Sequence, residues 1–267
     1  MTLATRILPP GAIGGRRALL LVERNIRIYR KTWLVLLSGL FEPLFYLLGI
    51  GFGLGALVGT LPGPNGEPIT YQQFVAPGLL AAAAMNGAIF EATFNFFFKL
   101  RYSRTYDSIL STPLGVADVA LGEVIWALIR GTLYATGFMI VALLLGLVLS
   151  PTAILAVPVA LLIGFAFGAV GMAATSFMRN FQDFDLVQLI LLPMFLLSGT
   201  FYPVSSYPPF LQLIVELTPL YHGVALERAV MLGAVGPGNL IDVAYLTAMG
   251  LIGLVILARR LDRLLLK

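Results

Sequence analysis

Apolar residues form six long runs along this chain, separated by polar or glycine- and proline-rich segments. A helix needs about 20 apolar residues to cross roughly 30 Å of hydrocarbon, and the runs are of that order. We therefore predict an all-α polytopic membrane protein with six transmembrane helices. The predicted spans cover residues 33–58, 74–98, 123–149, 153–177, 184–202 and 241–258.

The apolar stretch at residues 197–233 is interrupted by Pro203, Pro208, Pro209 and Pro219. Each proline lacks a backbone N–H and clashes with the preceding helical turn, so one uninterrupted spanning helix is not expected here. The pattern predicts a segment that enters the bilayer and turns back before the last span.

Composition and charge support one membrane domain over residues 1–267. Of the residues, 59% are hydrophobic and only 11% are charged, where a soluble protein averages about 25% charged. Seven basic residues precede the first predicted span, three follow the second and four end the chain, out of 17 in all. By the positive-inside rule, both termini and the loop at 99–122 are predicted to be cytoplasmic. The net charge of +4 therefore indicates orientation in a cell membrane, not nucleic-acid binding.

Motifs for catalysis and nucleotide binding are missing from the sequence. It has no GxxxxGK[ST] loop for nucleotide phosphates, no cysteine and a single histidine, His222. We therefore expect no catalytic residue, no metal ligand and no cofactor in this chain. Three classes of membrane protein stay open: a channel, a gradient-driven carrier, or the membrane half of a motor.

Residues 16–32 are predicted to form an amphipathic helix at the membrane interface. Leu19, Val22, Ile26 and Tyr29 recur at helical spacing, with basic residues on other faces. The helix either only anchors the chain among headgroups or also contacts a cytoplasmic partner. The basic residues that we assign to it are Arg17, Arg24, Arg27 and Arg30.

The predicted cytoplasmic loop at 99–122 is longer than most connections between bundled helices, which have 2–8 residues. Tyr106, Ile109 and Leu110 lie three and four apart, on one helical face, before Pro113 interrupts the run. Such a short helix could project into a groove on a soluble protein. The alternative is a solvated loop without a partner.

Two motifs make the chain resemble the membrane subunits of type-2 ABC exporters, in particular the nodulation-factor and daunorubicin-type subgroup. The first motif lies in YDSILSTPLGVADVALGE and comprises Ser111, Thr112, Pro113, Leu114, Gly122 and Glu123. The second precedes the last span and comprises Ser198, Gly199, Tyr202, Pro203, Pro209, Leu211, Gln212, Pro219, Leu220, His222, Glu227 and Arg228.

The resemblance implies a permease that moves an amphipathic, drug-like or lipid- or glycan-linked substrate outward. It implies pairing with a second copy or a related permease within membrane lipid, and docking on separate ATPase subunits that bind ATP and Mg²⁺. It also implies that 16–32 is the interface helix and that 203–230 is an external re-entrant hairpin, fixed by Gly199, Pro203, Pro219 and His222. The coupling helix would be 106–113, with ATPase contacts from Tyr106, Asp107, Ile109, Leu110, Thr112 and Pro113.

Three ionisable residues fall inside predicted spans, where each costs about 3 kcal/mol or more unless it is paired or hydrated. Glu42, Glu91 and Arg130 either line or gate the substrate pathway or form a structural ion pair. A gradient-driven carrier using an intramembrane carboxylate is the alternative function, and an assembly factor without transport is a third. Outside the spans, Glu216, Glu227 and Arg228 are expected to form surface pairs.

Overall fold

The computed structural model describes residues 15–64 and 66–265, which are mostly helical. Arg6 and Lys267, which count toward the predicted charge asymmetry, lie outside the described residues, as does the rest of 1–14. The helices are α1 (Gly15–Tyr29), α2 (Trp33–Tyr46), α3 (Gly53–Val58), α4 (Tyr71–Phe90), α5 (Thr105–Leu110), α6 (Val116–Leu144), α7 (Ala156–Thr175), α8 (Asp183–Leu197), α9 (Pro209–Glu216), α10 (Pro219–Leu232) and α11 (Asn239–Leu265).

Several helices continue through turns of other geometry into longer rods. A π-helical turn at Leu47–Phe52 joins α2 to α3, and π-helical turns at Glu91–Asn95 and Phe98–Tyr102 extend α4. A 3₁₀ turn at Pro151–Leu155 leads into α7. Five rods in the described chain are long and apolar enough to cross a membrane: Gly39–Val58, Tyr71–Tyr102, Val116–Leu144, Pro151–Thr175 and Asn239–Leu265.

The fifth predicted span, 184–202, is shorter in the structure than expected. Helix α8 has 15 residues, which at 1.5 Å per residue makes about 22 Å, less than the roughly 30 Å of a bilayer core. It ends at Leu197 because Gly199 takes the left-handed backbone region, with φ of 77°. The Ser198 hydroxyl also donates to the Phe195 carbonyl at 2.9 Å, which satisfies an acceptor at the helix end. The structure therefore supports five full-length spans and one short apolar helix.

A small β-hairpin departs from the all-α prediction. Strands β1 (Thr60–Pro62) and β2 (Pro68–Thr70) pair antiparallel, with Thr60 opposite Thr70. The segment between them is rich in glycine and proline, which favour a turn over a helix. Directly after β2, the Thr70 side chain accepts from the Gln73 backbone N–H, and the Gln73 side chain accepts from the Thr70 N–H. This reciprocal capping box explains why α4 begins at Tyr71.

Helix α4 lies at the centre of the bundle, between α6, α7 and α10. In the rod Tyr71–Tyr102, which α4 begins, 78% of the residues in an apolar 18-residue window are buried, against 17% for the rod Gly39–Val58. Close packing of α4 on α6 depends on glycine, because a Cβ on Gly131 would lie 2.8 Å from the Ala84 carbonyl oxygen. The first rod therefore lies at the edge of the molecule and α4 in its core.

Prolines in the segment after α8 begin helices instead of breaking them. Pro209 and Pro219 each occupy the first turn of a helix, where a missing N–H costs nothing. Helices α9 and α10 follow one another closely, separated by Leu217 and Thr218. The segment 203–230 is thus a pair of helices, in which only α10 is largely buried.

Candidate functional site

Four ionisable side chains from α6 and the extended α4 rod meet in the interior. We call Glu91, Lys99, Glu123 and Arg130 the ion cluster; it pairs two carboxylates with two cations. The exposed fraction is 0% for both glutamates and 3% for Arg130. A charge in this setting is tolerated only when it is paired and hydrogen-bonded.

Glu91 is the hub of the ion cluster. Its carboxylate oxygens lie 3.0 Å from Lys99 Nζ and 2.8 Å from Arg130 Nη1. Asn95 Nδ2 donates to Oε2 of the same carboxylate at 2.7 Å. Arg130 is also held by its Nε, which donates to the Tyr134 hydroxyl at 3.1 Å. The structure therefore contains an intramembrane ion pair between Glu91 and Arg130, which was one of the two expected arrangements.

Lys99 joins the two carboxylates of the ion cluster, because its Nζ also lies 2.7 Å from Glu123 Oε2. The sequence predicts Lys99 only as one of the three basic residues in the loop after the second span. Glu91, Asn95 and Lys99 are four residues apart along the rod that extends α4, and this spacing is the signal in the sequence that could have indicated a shared face.

Helix α1 packs directly on the ion cluster. The Tyr29 hydroxyl lies 3.4 Å from Glu91 Oε2 and accepts from Asn95 at 2.9 Å. Near the N-terminal end of α1, a Cβ on Gly122 of α6 would lie 2.9 Å from the Ala18 carbonyl oxygen, so only glycine allows the two helices to approach this closely. The face that packs on the bundle comprises Ala18, Leu21, Val22 and Asn25, whereas Leu19 and Ile26 of the predicted apolar face are half exposed.

The basic residues assigned to α1 have different surroundings. Arg17 Nη1 donates to the Pro113 carbonyl at 3.2 Å, which ties α1 to the segment after α5. Arg27 pairs with Glu23 one turn away, Arg24 is half-buried and Arg30 is exposed. Arg17, Arg27 and Arg30 are thus exposed, and Arg17 lies next to the segment after α5.

Helix α5 begins and ends earlier than the predicted coupling helix 106–113, and its orientation corrects a prediction. Tyr106 and Ile109 are 1% and 8% exposed, and pack against core residues of this chain. The expectation that they enter a groove on another protein is wrong, because they are already buried here. Asp107 is exposed, and Leu110 is half-buried. Beyond the helix, Thr112 and Pro113 are exposed as well.

Tyr106 connects α5 to the ion cluster. Burial, and then the neighbouring Glu123 carboxylate, raise the pKa of the Tyr106 hydroxyl well above its ordinary value. Within the described chain, neither this hydroxyl nor Glu123 Oε1 has a hydrogen-bond partner. Two adjacent buried polar atoms are therefore available to pair if α5 moves slightly.

Glu42 lies apart from the ion cluster. It is exposed on α2 and lines a cavity of about 190 Å³ between α2, α4 and α8. Most of the lining is apolar, with Asn86 and Gln188 as further polar side chains. Of the three intramembrane residues singled out from sequence, the structure brings Glu91 and Arg130 together and places Glu42 elsewhere.

Polar residues of α10 hold the helices after α8 in place. His222 Nδ1 lies 2.7 Å from Asp242 Oδ1 of α11, and the His222 ring stacks on Tyr245 with centroids 4.0 Å apart. Arg228 Nη2 donates to the Gly199 carbonyl at 2.8 Å, which connects α10 to the left-handed turn after α8. Pro203 and Pro219 flank α9 on either side.

The expected surface pairing of Glu227 and Arg228 is wrong. Glu227 is 0% exposed, and neither of its oxygens has a hydrogen-bond partner among the described residues. Arg228 instead uses backbone carbonyls and stacks 4.1 Å above the Phe74 ring. Neighbouring positions on a helix point in different directions, so adjacency in sequence did not predict a pair.

These features define a polytopic membrane protein whose short helices α1 and α5 brace a buried ion cluster. In the part of the chain that the structure describes, no group of three His, Asp or Glu side chains could hold a metal ion. The family model described as ABC-2 type transporter matches residues 16–232. The chain belongs to the ABC-2 type transporter family.

Similar proteins agree with this assignment. The chain is 37% identical over 226 residues to Nodulation protein J of Sinorhizobium fredii strain NGR234, which covers 84% of each protein. It is 35% identical over 214 residues to Nodulation protein J of Rhizobium meliloti strain 1021, covering 79% of this chain and 80% of the relative. Identity to the inner membrane transport permease YadH of Escherichia coli K12 is 25% over 249 residues, 89% and 87% of the two chains. The resemblance to nodulation-type members of the family is confirmed.

Proposed function

We propose that this chain is the membrane subunit of an ATP-driven exporter that moves an amphipathic, drug-like or lipid- or glycan-linked molecule outward. Family membership supports the role of transport subunit. The names of similar proteins, nodulation protein and transport permease, agree with transport across a membrane. In this proposal a separate ATPase subunit binds ATP and Mg²⁺, and this chain performs no catalysis.

One observation carries the coupling part of the proposal: α5 is built into the bundle by Tyr106, next to the ion cluster. Asp107 and the segment with Thr112 and Pro113 remain exposed, and Arg17 of α1 donates to the Pro113 carbonyl beside them. The ATPase docks on this combined surface. Closure of the ATPase pushes α5 inward, the Tyr106 hydroxyl pairs with Glu123, and the movement reaches α4 and α6 through Lys99.

The topology in this proposal has six crossings, with α8 as a short fifth crossing and both termini in the cytoplasm. Helices α9 and α10 form an external re-entrant hairpin, held to the last span by His222 and Asp242. The first rod, which is the least buried in the described chain, faces a second permease subunit. The cavity at Glu42 opens beside that rod and contributes to the substrate pathway.

The alternative, a gradient-driven carrier, needs an intramembrane carboxylate that can take up and release a proton. Glu91 is poorly suited, because two cations and an amide surround its carboxylate. Of the two span carboxylates singled out from the sequence, that leaves Glu42, which is exposed on α2. The two functions differ in energy source: export by the proposed mechanism stops on ATP depletion and survives collapse of the proton gradient.

Because the chain has no native cysteine, single cysteine variants test both orientation and docking without background. Ser108→Cys lies on the exposed face of α5 and Ser205→Cys on the segment before α9. In intact cells, a membrane-impermeant maleimide should label only Ser205→Cys. In purified complex, Ser108→Cys should cross-link to the ATPase subunit and Ser205→Cys should not. Reversed labelling would refute the orientation, and absent cross-linking at 108 would refute the docking surface.

A further inference from the structure

Three arginines line an open groove where the last span ends. Arg259, Arg260 and Arg263 surround about 180 Å³ together with Ile256 of the same helix and Phe177, which follows α7. Arg259 and Arg260 follow Ile256 by three and four positions and precede Arg263 by four and three, so all four border one side of the helix. The groove thus joins an apolar floor to a concentrated positive charge.

The Arg260 side chain is held in place, but one of its hydrogen-bond donors has no acceptor among the described residues. Its guanidinium carbon lies 4.6 Å above the Phe177 ring, a cation–π contact that fixes the side chain. Its Nε is buried and has no hydrogen-bond partner within residues 15–64 and 66–265. A fixed, buried donor without an acceptor is costly, and an oxyanion in the groove would remove that cost.

The positive charge of the three arginines is not neutralised by a carboxylate of the described chain. No carboxylate of the described chain lies within 4.0 Å of these guanidinium groups, unlike Lys99 and Arg130 in the ion cluster. Asp262 is close in sequence but occupies a different face of α11 and is exposed. Arginine forms paired, charge-assisted hydrogen bonds with phosphate oxygens, so the unmet charge selects a phosphate-bearing ligand.

The position of the groove identifies the source of the phosphate. It follows the apolar run of α11 directly, and in the proposed topology it lies at the headgroup level of the cytoplasmic leaflet. We propose that this groove binds the phosphate of an anionic phospholipid of that leaflet. The arginines hold the headgroup phosphate, while Phe177 and Ile256 contact the glycerol and upper acyl chain. Basic pockets at this depth suit anionic headgroups.

Native mass spectrometry of the purified full-length chain tests the proposal with dioleoyl phosphatidylglycerol and dioleoyl phosphatidylcholine as probes. The triple variant Arg259→Gln, Arg260→Gln, Arg263→Gln should bind phosphatidylglycerol about ten- to a hundredfold more weakly, because each arginine near a membrane surface strengthens anionic binding about fivefold. Phosphatidylcholine retention should not change, which also verifies folding. A single Arg260→Lys variant should give a smaller loss, because lysine keeps the charge but not the planar stacking.

The matched control is Arg27→Gln, Arg30→Gln, Lys31→Gln, which removes the same charge from an exposed surface. An equal loss in the control would overturn the proposal in favour of diffuse attraction. If millimolar inorganic phosphate displaces phosphatidylglycerol and the groove shows no preference for the lipid, the groove would be assigned to free phosphate instead. Unchanged lipid binding with loss of ATPase co-purification would make it a protein-docking face. Because binding in detergent is independent of orientation, these outcomes are distinct from a failed maleimide test.

Discussion

Removal of Lys99 tests whether the ion cluster is a coupled unit. Lys99→Met keeps an unbranched side chain but leaves Glu123 without its cation, 2.7 Å away in the native structure. Glu91 keeps Arg130 and Asn95, so the stranded charge belongs to Glu123. Because Glu123 is 0% exposed, we expect a loss of about 3–5 kcal/mol in the free energy of unfolding, the usual cost of breaking a buried pair.

The second half of the test is a double-mutant cycle with Glu123→Gln. That single change should cost about 1–3 kcal/mol, because Lys99 retains Glu91. The double variant is again electrically balanced, since Glu91 and Arg130 remain as one pair. It should be no less stable than Lys99→Met alone, so the coupling energy should be at least as large as the cost of Glu123→Gln, about 1–3 kcal/mol.

The assay can use a native reporter close to the ion cluster. Trp126 is 3% exposed and its ring centroid lies 5.2 Å from that of Tyr29. In a Trp33→Phe background, Trp126 fluorescence follows unfolding during titration of mixed micelles with sodium dodecyl sulfate. Lys31→Met, at an exposed position, is the control for loss of one cation. Additive effects, within about 0.5 kcal/mol, would refute the reasoning.

Three further predictions concern packing, transport and pH. Gly122→Ala should destabilise the chain by about 1–3 kcal/mol and weaken coupling of ATP hydrolysis to transport, because the new methyl group meets the α1 backbone. The control is Gly164→Ala, whose Cβ has an ordinary contact at 3.5 Å. Equal free energies of unfolding for the two variants would contradict the packing argument. Glu42→Gln should raise the substrate KM while ATP-driven export continues, whereas export that ceases with ATPase activity intact would favour a proton-carrying role. Backbone N–H donors of the preceding loop lower the pKa of Asp183 below its ordinary 3.8, so the stability that this carboxylate supplies is present above pH 3.8 and is lost as pH falls through the lowered pKa. In Asp183→Asn, the melting temperature should therefore depend less on pH in the acid range. An unchanged dependence on acid pH would contradict the assignment.

Hydropathy predicts the approximate positions of the spans, but it does not indicate the ion cluster. The prediction ended the second span at 98, whereas the rod continues through π-helical turns to Tyr102. Lys99 therefore lies inside the bundle instead of in a loop. The β-hairpin at 60–70 and the early end of α8 depend on local glycine geometry that hydropathy averages away.

The orientation of α5 shows a more general limit. The helical spacing of apolar residues identifies an apolar face of a helix. That face can be covered by any apolar surface, whether it belongs to this chain or to another. For Tyr106 and Ile109 the cover is the chain's own core, so the surface left for an ATPase is the polar one that includes Asp107. Coupling then depends on two separable properties of one short helix. Asp107→Arg should weaken ATPase docking without a change in unfolding energy, while Tyr106→Phe should preserve docking and lower transport per ATP hydrolysed.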